Sequence, residues 1–77
     1  MIHVRYFAAA AEAAGVDDEA VPAGSMAQVR SALIDLHPAL GAVVPRCALL
    51  VDGARLNDDD PVLEGATLDV LPPFAGG

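Results

Sequence analysis

The chain opens with a strict alternation of apolar and polar positions over residues 2–7, IHVRYF. Side chains of an extended chain point alternately to opposite faces. One face receives Ile2, Val4 and Tyr6. The other face receives His3, Arg5 and Phe7. This pattern predicts a half-buried strand whose first set of side chains faces the core.

Three later segments also have the composition of strands. They are residues 19–22, EAVP, residues 47–51, CALLV, and residues 67–71, TLDVL. Asp52-Gly53 predicts a tight turn, with a short return strand at Arg55-Leu56. Pro72 and Pro73 are expected to end the last strand, because proline has no N–H to donate to a neighbouring strand.

The clearest helix is expected to begin after Ser25. Ser25 and Gln28 fit a capping box, in which each side chain caps the backbone of the other residue. One face of the helix is apolar through Met26, Val29, Leu33 and Leu36. The helix should end at His37, because the residue before a proline avoids the helical conformation. Residues 8–14 fit either one or two helical turns or a wide loop before a turn at Gly15.

The predicted order is strand, strand, helix, strand, short return and strand, and the first two strands form a hairpin. One main helix can cover one face of one mixed sheet, which gives a two-layer α+β domain. We predict that this domain covers residues 1–71 and that residues 72–77 form a flexible tail. The other sheet face is left to solvent or to a partner.

The strand alternation also assigns the residues of that open face. In the last two long strands the inward positions are Cys47, Leu49, Val51, Leu68 and Val70. The outward positions combine apolar Phe7, Leu50 and Leu71 with His3, Arg5 and Asp69. Scattered exposed apolar residues are common on protein surfaces, so these positions are either ordinary or a docking patch. The patch is favoured because Leu71 lies at the root of the tail.

Charge then excludes several classes of partner. The formal net charge is −7, four arginines are the fixed cations, and lysine is absent. Nucleic acid and anionic membranes need a basic surface, so neither is an expected partner. No apolar run approaches the ~20 residues of a membrane span, and the N-terminus does not resemble a secretory signal. The single cysteine, Cys47, fits a reducing compartment, and we expect a cytoplasmic protein.

The side chains offer little chemistry of their own. His3, His37 and Cys47 belong to different elements and lack the spacing of metal ligands. The aspartate runs at 17–18 and 58–60 read as solvated turns, and no glycine-rich loop opens a helix to hold phosphate. We therefore expect neither a metal, nor a bound cofactor, nor an autonomous enzyme.

The tail LPPFAGG carries the strongest functional pattern. Pro72 and Pro73 favour a stiff, extended segment that projects the following residues away from the sheet. Phe74 can anchor in an apolar pocket. Ala75, Gly76 and Gly77 are narrow enough to enter a channel. The α-carboxylate of Gly77 is a poor electrophile, so an external enzyme must adenylate it before a nucleophile replaces AMP.

Three stretches resemble the small subunit of molybdopterin synthase, a ubiquitin-like sulfur carrier family. They are VRYFAAAAEAAG near the N-terminus, LVDG with DPVLEGATLDVLPP in the second half, and LPPFAGG at the end. The resemblance spans nearly the full chain, and its most specific part is the Pro-Pro-x-x-Gly-Gly terminus. It implies a β-grasp fold, in agreement with the element order. The chain departs from the family's frequent residues at Ala11, Arg55 and Ala66.

The resemblance also implies a reaction cycle. A ubiquitin-activating-like adenylyltransferase, using ATP and magnesium, adenylates Gly77, and sulfur transfer converts it to a thiocarboxylate. The loaded tail then enters the large subunit of the synthase, in a heterotetramer, and its sulfur forms the dithiolene of molybdopterin from precursor Z. Catalysis lies in the partner proteins. The implied partner-binding residues are Phe7, Leu71, Pro72, Pro73, Phe74, Ala75 and Gly76.

Two other uses of the same tail remain open. The carrier could serve thiamin, cysteine or tRNA thiolation, since a Gly-Gly end is shared among such proteins. It could instead be a ubiquitin-like modifier that is joined through Gly77 to lysines of target proteins. Without lysine, it could not extend itself through lysine branches.

Overall fold

The structure is a computed structural model and describes residues 1–73. Seven strands and two α-helices follow one another in chain order. They are β1 (Ile2–Tyr6), α1 (Ala9–Ala14), β2 (Asp18–Val21), β3 (Gly24–Ser25), α2 (Met26–Leu36), β4 (Ala48–Val51), β5 (Ala54–Arg55), β6 (Pro61–Val62) and β7 (Thr67–Leu71). Two 3-10 helices, Pro38–Ala42 and Val44–Arg46, connect α2 to β4.

Five strands form one mixed sheet in the order β2-β1-β7-β4-β5. The first and last long strands, β1 and β7, lie side by side and run parallel. The other pairings in this sheet are antiparallel. The predicted α+β fold with one mixed sheet and a single main helix is confirmed. The parallel central pair brings the start of the chain against the strand that leads into the tail.

Helix α2 begins with the predicted capping box. The backbone N–H of Gln28 donates to Oγ of Ser25 at 3.1 Å, and the N–H of Ser25 donates to Oε1 of Gln28 at 3.0 Å. A Cβ added at Gly24 would lie 2.8 Å from Oε1 of Gln28, so a larger residue there would displace the capping side chain. The helix ends before His37, whose N–H donates to the carbonyl of Leu33.

The core lies between the inner sheet face and α2, as the alternation predicts. From the sheet it receives Ile2, Val4, Tyr6, Val21, Val51, Leu68 and Val70. From α2 it receives Met26, Val29 and Leu33, while Leu36 is 54% exposed. Cys47 and Leu49 are only partly buried but pack against the core, as expected for inward positions.

The predicted tight turn after β4 is also confirmed. Asp52 and Gly53 have φ values of 47° and 85°, the pair of positive angles that a type I′ hairpin turn requires. Asp52 contributes further, because its Oδ1 accepts a hydrogen bond from the N–H of Thr67 at 3.0 Å. The turn is thereby tied to the start of β7.

Several elements differ from the sequence prediction. Residues 9–14 form the helical alternative, and α1 separates β1 from β2, so their hairpin has a wide connection. A second sheet, formed by the two strands β3 and β6, was not predicted. Each of these strands has only two residues, which is too short to show an alternation. The 3-10 helices were also missed. Strands β1, β2, β4 and β5 each differ by one residue from the predicted bounds.

The structure describes the tail only as far as Pro73. Strand β7 ends at Leu71, and the two prolines follow outside the sheet, as predicted. The assignments to Phe74, Ala75, Gly76 and Gly77 lie outside the described residues. In the part of the chain up to Pro73, no helix has the length and apolar character to cross a membrane.

Candidate partner-binding face and tail root

The sheet face opposite α2, here called the outer face, carries a row of side chains across four strand pairings. In this row Asp18 pairs with Arg5, Arg5 with Asp69, Asp69 with Leu50, and Leu50 with Arg55. Directly paired residues point to the same side of a sheet. The predicted outward positions Arg5, Leu50 and Asp69 therefore share one surface.

The centre of this row is a two-point ion pair between neighbouring strands. Nε–H of Arg5 donates to Oδ1 of Asp69 at 2.6 Å, and a terminal N–H donates to Oδ2 at 2.8 Å. These hydrogen bonds, together with the positive charge of Arg5, hold the pKa of Asp69 below its usual value. The same contacts raise the pKa of the Arg5 guanidinium. Both groups are thus charged throughout the neutral range.

Phe7 lies at the end of this face and is 39% exposed. Its N–H donates to the carbonyl of Val70 at 3.2 Å, which holds it beside β7. The Arg5 guanidinium carbon lies 5.8 Å from the centre of the Phe7 ring, within the range of a cation–π contact. The chain turns away immediately afterwards at Ala8, a non-glycine residue with a φ of 50°. Phe7 is therefore held on the outer face and out of the core.

Leu71 and the two prolines form the root of the tail. Leu71 pairs with Ala48 of β4, and Leu71 and Pro72 are both partly buried. A surface groove, called here the tail-root groove, is lined by Arg46, Cys47, Ala48, Arg55, Leu71, Pro72 and Pro73. A second groove on the side of α1 is lined by Ala9, Ala42, Val43, Arg46, Pro72 and Pro73. Pro72 and Pro73 therefore line both grooves.

Cys47 lines the tail-root groove but has the character of a packing residue. Its thiol donates to the carbonyl of Val43 at 3.3 Å, and burial raises its pKa. A raised pKa lowers the fraction of thiolate, which is the nucleophilic form. This agrees with the sequence interpretation of Cys47 as a small apolar residue.

One polar cluster was not predicted from the sequence. Tyr6 is 4% exposed, and its hydroxyl donates to Oε2 of Glu19 at 2.6 Å. The same oxygen lies 2.6 Å from Nε2 of His37, just beyond α2. Burial and the hydrogen bond to the negative Glu19 raise the pKa of the Tyr6 phenol. The alternation did contain a signal for this cluster. Glu19 and buried Val21 are two positions apart on β2, so both side chains point to the core side of the sheet.

The two histidines lie in different parts of the structure. His3 lies on the outer face with Nε2 3.8 Å from Asp18, whereas His37 belongs to the cluster beside α2. Among residues 1–73, no group of three His, Cys, Asp or Glu side chains could hold a metal ion. Of the predicted site residues, the structure brings Leu71, Pro72 and Pro73 together, with Phe7 on the same side of the sheet.

Fold and site together define a class of protein: a ubiquitin-like β-grasp domain with an open sheet face beside its outgoing C-terminal segment. Comparison with protein families matches residues 4–77 to the ThiS family. The chain belongs to this family, and the predicted resemblance to ubiquitin-like sulfur carriers is confirmed.

Individual relatives point in the same direction. The molybdopterin synthase sulfur carrier subunit of Chlamydomonas reinhardtii is 33% identical, over 99% of this chain and 98% of that protein. SAMP1 from Haloferax volcanii has a similar structure, with a TM-score of 0.82, 24% identity, and coverage of 99% and 98% of the two chains. A chain in the complex of subunits 1 and 2 of molybdopterin-converting factor from Helicobacter pylori aligns with a TM-score of 0.73, 22% identity, and coverage of 99% and 97%. The two structural similarities establish the fold.

Proposed function

We propose that this protein is the sulfur carrier subunit of a molybdopterin synthase. The observation that carries the proposal is the 33% identity with the sulfur carrier subunit from Chlamydomonas reinhardtii along nearly the whole of both chains. The tail root supports it, because β7 leads directly into Pro72 and Pro73 at the edge of an open, partly apolar face.

In the proposed cycle the domain supplies recognition and the tail supplies the reacting group. A ubiquitin-activating-like adenylyltransferase, with ATP and magnesium, joins the Gly77 carboxylate to AMP and releases pyrophosphate. A sulfur nucleophile then displaces AMP and leaves a thiocarboxylate. In the large subunit this sulfur is transferred to precursor Z, and two such transfers supply the two sulfur atoms of the molybdopterin dithiolene. Each transfer leaves the tail as a carboxylate, and the chain itself remains a non-catalytic donor.

The proposed partners follow from these separate roles of the domain and the tail. The large subunit receives the tail, and the complex is a heterotetramer. Phe7 and Leu71 contact the partner surface, while Pro72, Pro73, Phe74, Ala75 and Gly76 run towards its active site. No cofactor is held by this chain, and we place the protein in the cytoplasm.

The test of the proposal is intact-mass analysis of the protein purified from its native host, together with complementation of a host that lacks this carrier. We expect a fraction in which one oxygen is replaced by sulfur, and restored synthesis of molybdopterin. A variant with one alanine added after Gly77 should fold normally but fail in both measurements, because its carboxylate is displaced.

Three results would contradict the proposal. The first is molybdopterin synthesis by a chain that lacks Gly76 and Gly77. The second is sulfur loading of the extended variant. The third is isopeptide-linked adducts of Gly77 with other proteins in the absence of any thiocarboxylate, which would favour a protein modifier instead.

A further inference from the structure

Three of the four arginines lie on one side of this acidic chain. Its net charge is −7, yet Arg30, Arg46 and Arg55 line two adjoining grooves. The grooves share Cys47, Ala48 and Arg55, and one of them is the tail-root groove. Positive charge is therefore concentrated where the outgoing chain leaves the domain.

Two of these arginines are not neutralised by the described part of the protein. Arg30 is paired with Asp58 at 2.9 Å, and the remaining arginine, Arg5, is paired with Asp69. Within residues 1–73, neither Arg46 nor Arg55 has a carboxylate at ion-pair distance. Both side chains belong to exposed residues.

Arg46 and Arg55 both lie close to the residues at the root of the tail. Arg46 ends the second 3-10 helix, and Arg55 lies on the edge strand β5. Both line the tail-root groove with Pro72 and Pro73, and Arg46 also lines the second groove, which the same prolines line. A protein that takes up the residues after Pro73 must therefore approach these two guanidinium groups.

We propose that Arg46 and Arg55 bind carboxylates on the large subunit, beside the opening that receives the tail, and orient the carrier during association. This inference rests on the proposed function. Guanidinium groups bind carboxylates through two parallel hydrogen bonds. Locally positive charge also steers an otherwise negative molecule, so that it meets an acidic surface with this end first.

The chemistry of the groove favours a protein surface over a small anion. A site for a free anion usually provides buried polar groups that replace its water. Among residues 1–73, no buried charged or polar side chain lines the tail-root groove, and both arginines stand exposed on separate elements. Exposed arginines at the rim of an apolar contact are typical of the polar border of a protein interface.

The experiment measures association of the carrier with the large subunit from the same organism by stopped flow, from low to high ionic strength. For the double variant R46Q/R55Q we expect an association rate about tenfold lower than wild type at low salt. The two rates should converge at about 1 M salt, where the Debye length is ~3 Å. Single variants R46Q and R55Q should each show part of the effect.

The matched control is Arg30→Gln, which removes the same charge from an arginine that is already paired with Asp58. It should lower the rate less than R46Q or R55Q. Circular dichroism should show unchanged thermal unfolding of R46Q/R55Q, because both residues are exposed and unpaired within residues 1–73.

The outcomes separate this inference from the function on which it rests. If wild-type carrier does not bind the large subunit at all, the proposed function fails and the inference fails with it. If wild type binds but R46Q/R55Q has the same rate and salt dependence, only the inference is overturned. It is equally overturned if the double variant binds the large subunit normally and loses only adenylation.

Discussion

Arg5 and Asp69 join the first and last long strands through two hydrogen bonds, although 64 residues separate them in the sequence. The pair lies at the centre of the outer face, between Asp18 on one side and Leu50 on the other. The pair links side chains across the parallel β1–β7 pairing, and β7 is the strand that leads into the tail. A contact on the proposed binding face thus also links the first and last long strands.

Asp69→Asn should lower stability at neutral pH and have less effect in acid. In wild type, the folded pKa of Asp69 lies below the usual aspartate value of 3.8. As pH falls, Asp69 is therefore protonated in the unfolded chain before it is protonated in the folded protein. The stability contributed by the ion pair is lost as pH falls through the folded pKa. Urea denaturation at pH 7 and in the acid range should show the gap between wild type and variant closing.

The control for Asp69 is Asp59→Asn. Asp59 is exposed and makes no side-chain hydrogen bond to another described residue, so this change removes the same charge without breaking a contact. A gap between wild type and D69N that stays constant from neutral to acid pH would show that the ion pair does not stabilise the fold.

Tyr6 should resist ionisation until the protein unfolds. Burial and the hydrogen bond to Glu19 raise the pKa of its phenol above the usual tyrosine value of 10.0. The unfolded chain therefore loses its proton first, and stability should fall as pH rises through 10. Tyr6 is the single tyrosine in a chain without tryptophan, so phenolate absorbance reports on it directly.

Removing the negative partner tests the cause of this resistance. Glu19→Gln keeps an oxygen that can accept the Tyr6 hydrogen bond but removes the charge, so the phenol should titrate at lower pH than in wild type. Tyr6→Phe should cost about 1 kcal/mol in urea denaturation, the usual net value of one hydrogen bond. Phenolate absorbance near pH 10 in folded wild type would contradict a buried Tyr6 phenol that is hydrogen-bonded to Glu19.

Phe7→Ser should weaken binding to the large subunit by about tenfold, the equivalent of ~1.4 kcal/mol. Phe7 is 39% exposed, so loss of its ring should affect the contact surface more than the core. Calorimetric titration gives the affinity and thermal unfolding gives the stability.

Leu63→Ser is the matched control, because Leu63 is 68% exposed and lies outside the outer-face row. It should leave the affinity near that of wild type. Equal losses of affinity in F7S and L63S would show that general surface hydrophobicity, and not the outer face, determines binding.

Ser25→Ala should destabilise the protein by about 1 kcal/mol, because it removes the acceptor for the N–H of Gln28 at the start of α2. Ser31→Ala is the control on the same helix. Ser31 is exposed, and alanine has the higher helix propensity, so this change should be neutral or slightly stabilising. Similar urea midpoints for wild type and S25A would mean that water caps the helix equally well.

The sequence pattern was sufficient to predict the elements that depend on interactions between neighbouring residues. The alternation of β1 and β7 assigned their faces, because a period of two admits only two arrangements. Ser25 and Gln28 defined the start of α2, and Asp52-Gly53 defined a turn. The Pro-Pro-x-x-Gly-Gly terminus led to the family, and its final four residues remain a prediction about function.

Contacts between distant segments were decided by the tertiary structure. The two-residue strands β3 and β6 have no pattern of their own and exist because packing brings Ser25 opposite Pro61. The cluster of Tyr6, Glu19 and His37 requires β2 and the end of α2 to meet, which no spacing in the sequence encodes. Sequence by itself determined the local elements and the family. Only folding placed Arg46 and Arg55 beside Pro72, because side-chain proximity there depends on where three separate segments pack.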